Sequence, residues 1–160
     1  MAKGFSLPQQ AQIVQLLKPA TDAAGRTSTY FSLKNALKAY ILVHIDQGNA
    51  ATIALNLLQA TVVAGTGSKA LTGRVWSNLD AVASDLFTQQ ADASTYTTDA
   101  ALKNKQVVFE VDPAFLDLAN GYTAVAIQTG ASNVANLTSA QAIVLPARYF
   151  GATMPTALTD

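Results

Sequence analysis

Apolar and polar residues alternate with a period of two along most of this chain, the pattern of strands that turn one face to a core and the other to solvent. Ile41, Val43 and Ile45 fall on one face, and Tyr40, Leu42, His44 and Asp46 on the other. After the turn residues Gly48-Asn49, Ile53, Leu55 and Leu57 alternate with Thr52, Ala54, Asn56 and Leu58. Together the two runs predict an antiparallel hairpin. Later, Val107, Phe109 and Val111 alternate with Val108, Glu110 and Asp112, residues 122–129 alternate small and β-branched side chains, and residues 140–149 set Ile143 and Leu145 against Ala142 and Val144. Gly121, Gly130 and Gly151 punctuate these three strands. Asp112-Pro113 predicts a turn or one-turn helix through Phe115 and Leu116, because proline accepts a first helical position and fixes φ there.

Near the N-terminus, Ile13-Val14 with Leu16-Leu17 and the run Tyr30 to Leu33 read as two strands flanking the turn-prone residues 19–26. Residues 8–17 also fit a helix with Ser6 as cap and Pro8 in its first turn. Strand is the preferred reading. The clearest helical segment is Asn78 to Gln89, where Leu79, Val82, Ala83 and Leu86 recur at i, i+3, i+4 and i+7, with Asp80 placed to complement the helix N-terminus. Gly65 to Lys69 and Ala91 to Thr95 read as exposed loops. The expected fold is all-β: an antiparallel β-sandwich or jelly-roll-like barrel with at most one or two short helices. More helix would make it α+β. The expected organisation is a single β domain over residues 1–160, with residues 1–7 as an extended N-terminal arm and 151–160 as a C-terminal tail.

Composition adds a bias toward association. Half of the 160 residues are hydrophobic and only 12% are charged, against about 25% in an ordinary soluble domain. Ten basic and ten acidic residues cancel to zero net charge, so little long-range repulsion keeps copies apart. Without a basic excess or a Lys/Arg cluster, neither nucleic acid nor an anionic membrane is an expected partner. The longest apolar runs fall well short of the ~20 residues of a membrane-spanning helix. Behind Lys3 there is no apolar run of a secretory signal, so the chain is expected to fold in the cytoplasm where it is made. There are no cysteines, and stability is expected to come from packing, hydrogen bonds and partner contacts.

Chemistry-bearing motifs are absent from the pattern. His44, the single histidine, lies on the outer face of its strand and reads as structural. One histidine without cysteine makes no zinc set. Asp80 with Asp85, or Glu110 with Asp112, could meet other acids across a sheet, but a solvated face is the plainer reading. Gly65-Thr66-Gly67-Ser68-Lys69 lacks the spacing of a phosphate-binding loop, and Asn136-Leu137-Thr138 reads as a chance match to a glycosylation acceptor. Trp76, Tyr96, Tyr30 and Tyr122 are candidates for a sugar-stacking platform. No catalytic, cofactor-binding or metal-binding residue is assigned, and the chain is read as a non-enzyme.

Gly4-Phe5-Ser6, Ile13-Val14, Phe31-Ser32-Leu33-Lys34-Asn35 and Ala147-Arg148-Tyr149 together resemble a family of small capsid-associated structural proteins encoded near the capsid genes of tailed bacteriophages. The resemblance spans most of the chain through short, non-catalytic motifs, and Gln10-Ala11-Gln12 departs from it where more charged or histidine-containing residues are expected. It implies a virion structural protein, foremost a decoration (cement) protein on the outside of a phage head. Its partners are then the major capsid protein and further copies of itself, in a homo-oligomer or lattice. Another virion component (tail, head-completion or fibre-base) or a carbohydrate- or cell-surface-binding sandwich is the alternative. Phe5, Leu7 and the loop Gly65, Thr66, Gly67, Ser68 and Lys69 are the expected partner contacts, with the arm adding a strand to a neighbour's sheet edge.

Overall fold

The computed structural model describes residues 6–146 and 158–159. A single helical turn, α1 (Leu7–Gln10), leads into β1 (Gln12–Thr21), β2 (Arg26–Thr27), β3 (Phe31–Ser32) and β4 (Ala36–Gln47). Next come β5 (Ala54–Ala60), β6 (Lys69–Ala70), β7 (Arg74–Asn78), β8 (Thr88–Gln89), β9 (Thr95–Thr97), β10 (Asn104–Val111), β11 (Ala124–Thr129) and β12 (Asn136–Pro146). All pair antiparallel in two sheets, and the fold is the expected all-β sandwich. The first sheet has the order β1-β12-β4-β10-β7-β8. The second is built on β5 and β11, with β2 and β3 along one side and β6 and β9 along the other.

The alternation places side chains as read. Ile41, Val43, Ile45, Val107, Phe109 and Val111 of the first sheet interlock with Ile53, Leu55, Leu57, Val125 and Ile127 of the second. Phe31, Leu33, Leu71 and Val75 complete the same core. Burial of so much aliphatic and aromatic surface is the main stabilising term, at about 1.5–3 kcal/mol for each large side chain. Leu158 packs against this core, and its carbonyl accepts a 2.7 Å hydrogen bond from the Ser32 amide.

The expected hairpin between the runs at 41–45 and 53–58 does not form. β4 lies between β12 and β10 in the first sheet, whereas β5 pairs with β11 in the second. Both runs line one core from opposite sides, and alternation alone does not name a strand's partner. The crossing is held by side chains: buried Gln47 donates from Nε2 to the carbonyls of Ala51 (3.4 Å) and Asp99 (2.9 Å). Buried Asn136 donates to the Ala51 carbonyl at 2.8 Å and accepts from the Asn49 amide at 2.8 Å.

The segment Asn78 to Gln89 is likewise not a helix. Asn78 closes β7, Thr88 and Gln89 form β8, and the residues between make one tight turn, in which the Asp80 carbonyl accepts from the Ala83 and Ser84 amides. The Asn78 side chain takes the Asp80 amide at 3.0 Å and the Ser84 carbonyl at 2.7 Å, offering the backbone local bonds that compete with a helix. Val82 and Leu86, the expected buried stripe, are 80% and 73% exposed. Residues 91–95 are also less free than expected: Ala93 bridges Gly73 and Thr95 opens β9. The turn after Asp112 is a short 3-10 helix over Pro113–Phe115, with the Asp112 side chain accepting from the Ala114 amide at 2.9 Å.

Two buried polar clusters close one end of the sandwich. Asp22, fully buried, accepts from Thr129 Oγ1 at 2.8 Å, from Arg26 Nε at 3.1 Å and from the Thr138 hydroxyl, and so joins β11 of one sheet to β12 of the other. The turn that follows Asp22 needs Gly25, with φ +70°, since a Cβ there would lie 2.7 Å from the Thr129 carbonyl oxygen. Lys105, equally buried, donates to Gln47 Oε1 at 2.7 Å, the Asp99 carbonyl at 2.8 Å and Asp99 Oδ1 at 2.6 Å. A buried charge is tolerated where hydrogen bonds surround it in this way.

Candidate binding surfaces

The loop Gly65 to Lys69 joins β5 to β6 and is largely exposed, as expected, yet it is tied down at every step. Tyr30 Oη lies 2.5 Å from Ser68 Oγ, and Tyr122 Oη donates to the Gly67 carbonyl at 2.8 Å. Lys69 Nζ sits 2.5 Å from Asp117 Oδ2 and 4.1 Å from the Tyr122 ring centroid. The hydrogen bond from Lys69 holds the Asp117 carboxyl below its ordinary range, and Asn120 adds to it; the same bond raises Lys69. Gly65 has φ +83°, and a Cβ there would meet Tyr30 Cε2 at 2.9 Å. Thr66, Gly67, Ser68 and Lys69 therefore present a fixed shape rather than a floppy loop. Beneath it, Tyr30 with Leu58 and Val63 covers Ala60, Ala124 and Ala126 on the outer face of the second sheet.

The other expected contacts do not join this loop into one site. Phe5 lies outside the described residues. Leu7, expected in an extended arm, begins α1 instead, with its carbonyl accepting from the Ala11 amide at 2.8 Å.

The outer face of the first sheet has no such cover among the described residues. Every outward side chain of β4, β10 and β12 keeps some exposure, while the inward residues are buried except at the strand ends, where Leu37 is exposed and Pro146 half-buried. Register places six residues in one row across all six strands: Gln15, Gln141, Leu42, Val108, Trp76 and Gln89. Ile13, Ile143, Tyr40, Glu110 and Arg74 form the next row on one side. Ser139, His44 and Gln106 form the row on the other. At the β1 end the surface dips into a depression of about 370 Å³ lined by Gln15, Leu17, Pro19, Leu42, His44, Ser139, Ala140 and Gln141. Glu110 is paired twice, with Lys38 Nζ at 2.6 Å and Arg74 Nη1 at 3.3 Å. Lys38 holds the Glu110 carboxyl below its usual range, with smaller help from Arg74 and the Trp76 indole, and is itself raised.

Of the four aromatic residues expected on a platform, only Trp76 stands on this face. Tyr96 and Tyr122 pack against the core, and Tyr30 is buried over the second sheet. Tyr40, with Gln15 and Gln141, is what sequence reading missed, since the strands that set them beside each other are distant in the chain.

A third surface lies where the loop after β7 meets the start of β10. Val82 and Leu102 (62% exposed) line one depression with Asp46, Asp80 and Lys103; Leu86 lines the adjoining one, which shares Asp80 and Lys103. Lys103 Nζ lies 2.5 Å from Asp80 Oδ2, an ion pair that lowers Asp80 and raises Lys103. Three large apolar side chains thus share two adjoining depressions with one ion pair. Among the described residues, no three His, Asp or Glu side chains come together to hold a metal, and no helix is long and apolar enough to cross a membrane.

No protein-family model and no curated protein matches the chain. Among solved structures, the SPBc2 prophage-derived protein YomS is 12% identical, with 84% of this chain and 92% of that chain covered at a TM-score of 0.48. A CBM4 structure is 14% identical over 84% of this chain and 69% of that one, at 0.31. The CBM22-1-GH10 modules of Clostridium thermocellum xylanase 10B, complexed with xylohexaose, are 9% identical over 91% of this chain and 28% of theirs, at 0.36. At these identities and TM-scores, none bears on the ligand, partner or place of action of this chain.

Proposed function

We propose that this chain is a virion structural protein, a decoration protein that binds the outside of a tailed-phage head and carries out no catalysis. It is made in the host cytoplasm and acts on the capsid surface, in contact with the major capsid protein and with its own copies. The observation that carries this reading is the apolar corner of Val82, Leu86 and Leu102, three of the four most exposed large apolar side chains among the described residues. Exposed apolar side chains beside a paired charge suit a protein partner, which removes them from water without stranding an ion. Low charge and zero net charge permit many copies to sit side by side. Neighbouring copies then reinforce weak individual contacts through high effective concentration. The fixed loop 65–69 is the second contact, with a shape that needs no ordering on binding.

The test is a Val82→Thr, Leu102→Gln double variant mixed with capsids from the source particle. The reading predicts an unchanged circular dichroism spectrum and a large loss of capsid occupancy. Unchanged occupancy removes the corner from the mechanism.

A further inference from the structure

We propose that the outer face of the first sheet is a binding platform for a neutral glycan chain, separate from the surfaces that attach the protein to a particle. The central row Gln15, Gln141, Leu42, Val108, Trp76 and Gln89 carries no formal charge. It crosses six strands spaced about 4.8 Å apart, and so extends for about 24 Å, long enough for several successive sugar rings. Its chemistry is two-natured as a sugar's is, with glutamines at both ends and apolar side chains between them. Each glutamine amide offers two donors and one carbonyl acceptor, which match the paired hydroxyls of a pyranose. Trp76, Leu42 and Val108 in the row, with Tyr40 beside it, offer flat apolar surface for the C–H faces of the rings.

The charges nearby favour a neutral ligand over an acidic one. Among the described residues, Lys38 and Arg74 on this face are both engaged by Glu110, and an acidic sugar would have to compete with that carboxylate. A second copy docked here is disfavoured by the same row, because exposed Gln15, Gln141 and Gln89 would have to find partners in a dry interface. A hydrated glycan supplies such partners along its whole length. The depression beside Gln15 and Gln141, with Ser139 and His44 on its wall, is where the chain end or a branch sits.

The single tryptophan makes the test direct, since Trp76 is the only indole in the chain. Intrinsic fluorescence is titrated with soluble xylan, a neutral β-glucan and a neutral mannan, with polygalacturonate as the acidic control. The proposal predicts a saturable change with at least one neutral polymer and none with polygalacturonate. The Gln15→Ala, Gln141→Ala double variant, both on exposed positions, lowers that affinity by about tenfold or more, while Val82→Thr leaves it unchanged. No response to the neutral polymers, a response only to polygalacturonate, or a response that survives the double substitution overturns the proposal. So does a fluorescence change that tracks protein concentration without glycan, which would make the face an interface between copies.

Discussion

Tyr30 Oη and Ser68 Oγ lie 2.5 Å apart, joining a side chain buried over the second sheet to the tip of the exposed loop before β6. Through this bond the small-residue face of Ala60, Ala124 and Ala126 is capped and the loop is held in one shape. Tyr30→Phe removes the bond and is expected to cost about 1 kcal/mol in urea unfolding. Gly65→Ala combines a left-handed backbone with a 2.9 Å clash against the Tyr30 ring, and is expected to cost more, about 1–3 kcal/mol. Equal stability of Gly65→Ala and the parent protein would contradict this account of the loop.

Lys105 is as fully enclosed as Asp22, and its partners are unequal. Gln47 is buried, whereas the Asp99 side chain is half exposed. Lys105→Ala leaves Gln47 short of a donor and opens a void, with an expected loss of about 3–5 kcal/mol. Asp99→Asn keeps an acceptor at the same place and is expected to cost no more than about 1.5 kcal/mol. Chemical denaturation of the two variants checks the order, and a larger loss for Asp99→Asn would contradict it.

The carboxyl shifts set the pH dependence. Asp99 and Glu110 are held below their ordinary range chiefly by hydrogen bonds from Lys105 and Lys38. A carboxyl whose folded pKa is depressed contributes stability that is present above its unfolded value, about 4, and lost as pH falls through the lower folded value. Lys38 is raised by the same pair, so its share is present below its unfolded value, about 10.4, and is lost as pH rises through the higher folded value. The melting temperature is therefore expected to fall on the acid side below about pH 4, and Glu110→Gln is expected to soften that fall. An acid limb identical in Glu110→Gln and parent would remove this pair from the pH response.

Period-two alternation made the faces of β4, β5, β10 and β12 legible, because a half-buried strand must separate its side chains in that way. Strand partners were not legible. Ile45 and Leu55 are close in sequence and end on opposite sheets, since the polar contacts of Gln47 and Asn136 that hold the crossing leave no mark in hydrophobic periodicity. The helical spacing of Leu79, Val82, Ala83 and Leu86 was overridden by the Asn78 side chain, which donates to the Ser84 carbonyl and accepts from the Asp80 amide. The loop at 65–69 was readable as a loop from its glycines and serine, but the clamp from Tyr30 and Tyr122 was not. For the same reason the row from Gln15 to Gln89 emerges only once six strands stand in register.

The central claim is attachment to a phage head in many copies, and sedimentation of the purified protein with capsids from its source particle, followed by counting bound copies, tests it most directly. The account predicts saturable binding at a copy number comparable with that of the capsid lattice subunits. No co-sedimentation, or saturation at a small ring-like number far below the lattice count, would contradict it and move the protein to another part of the virion or off it.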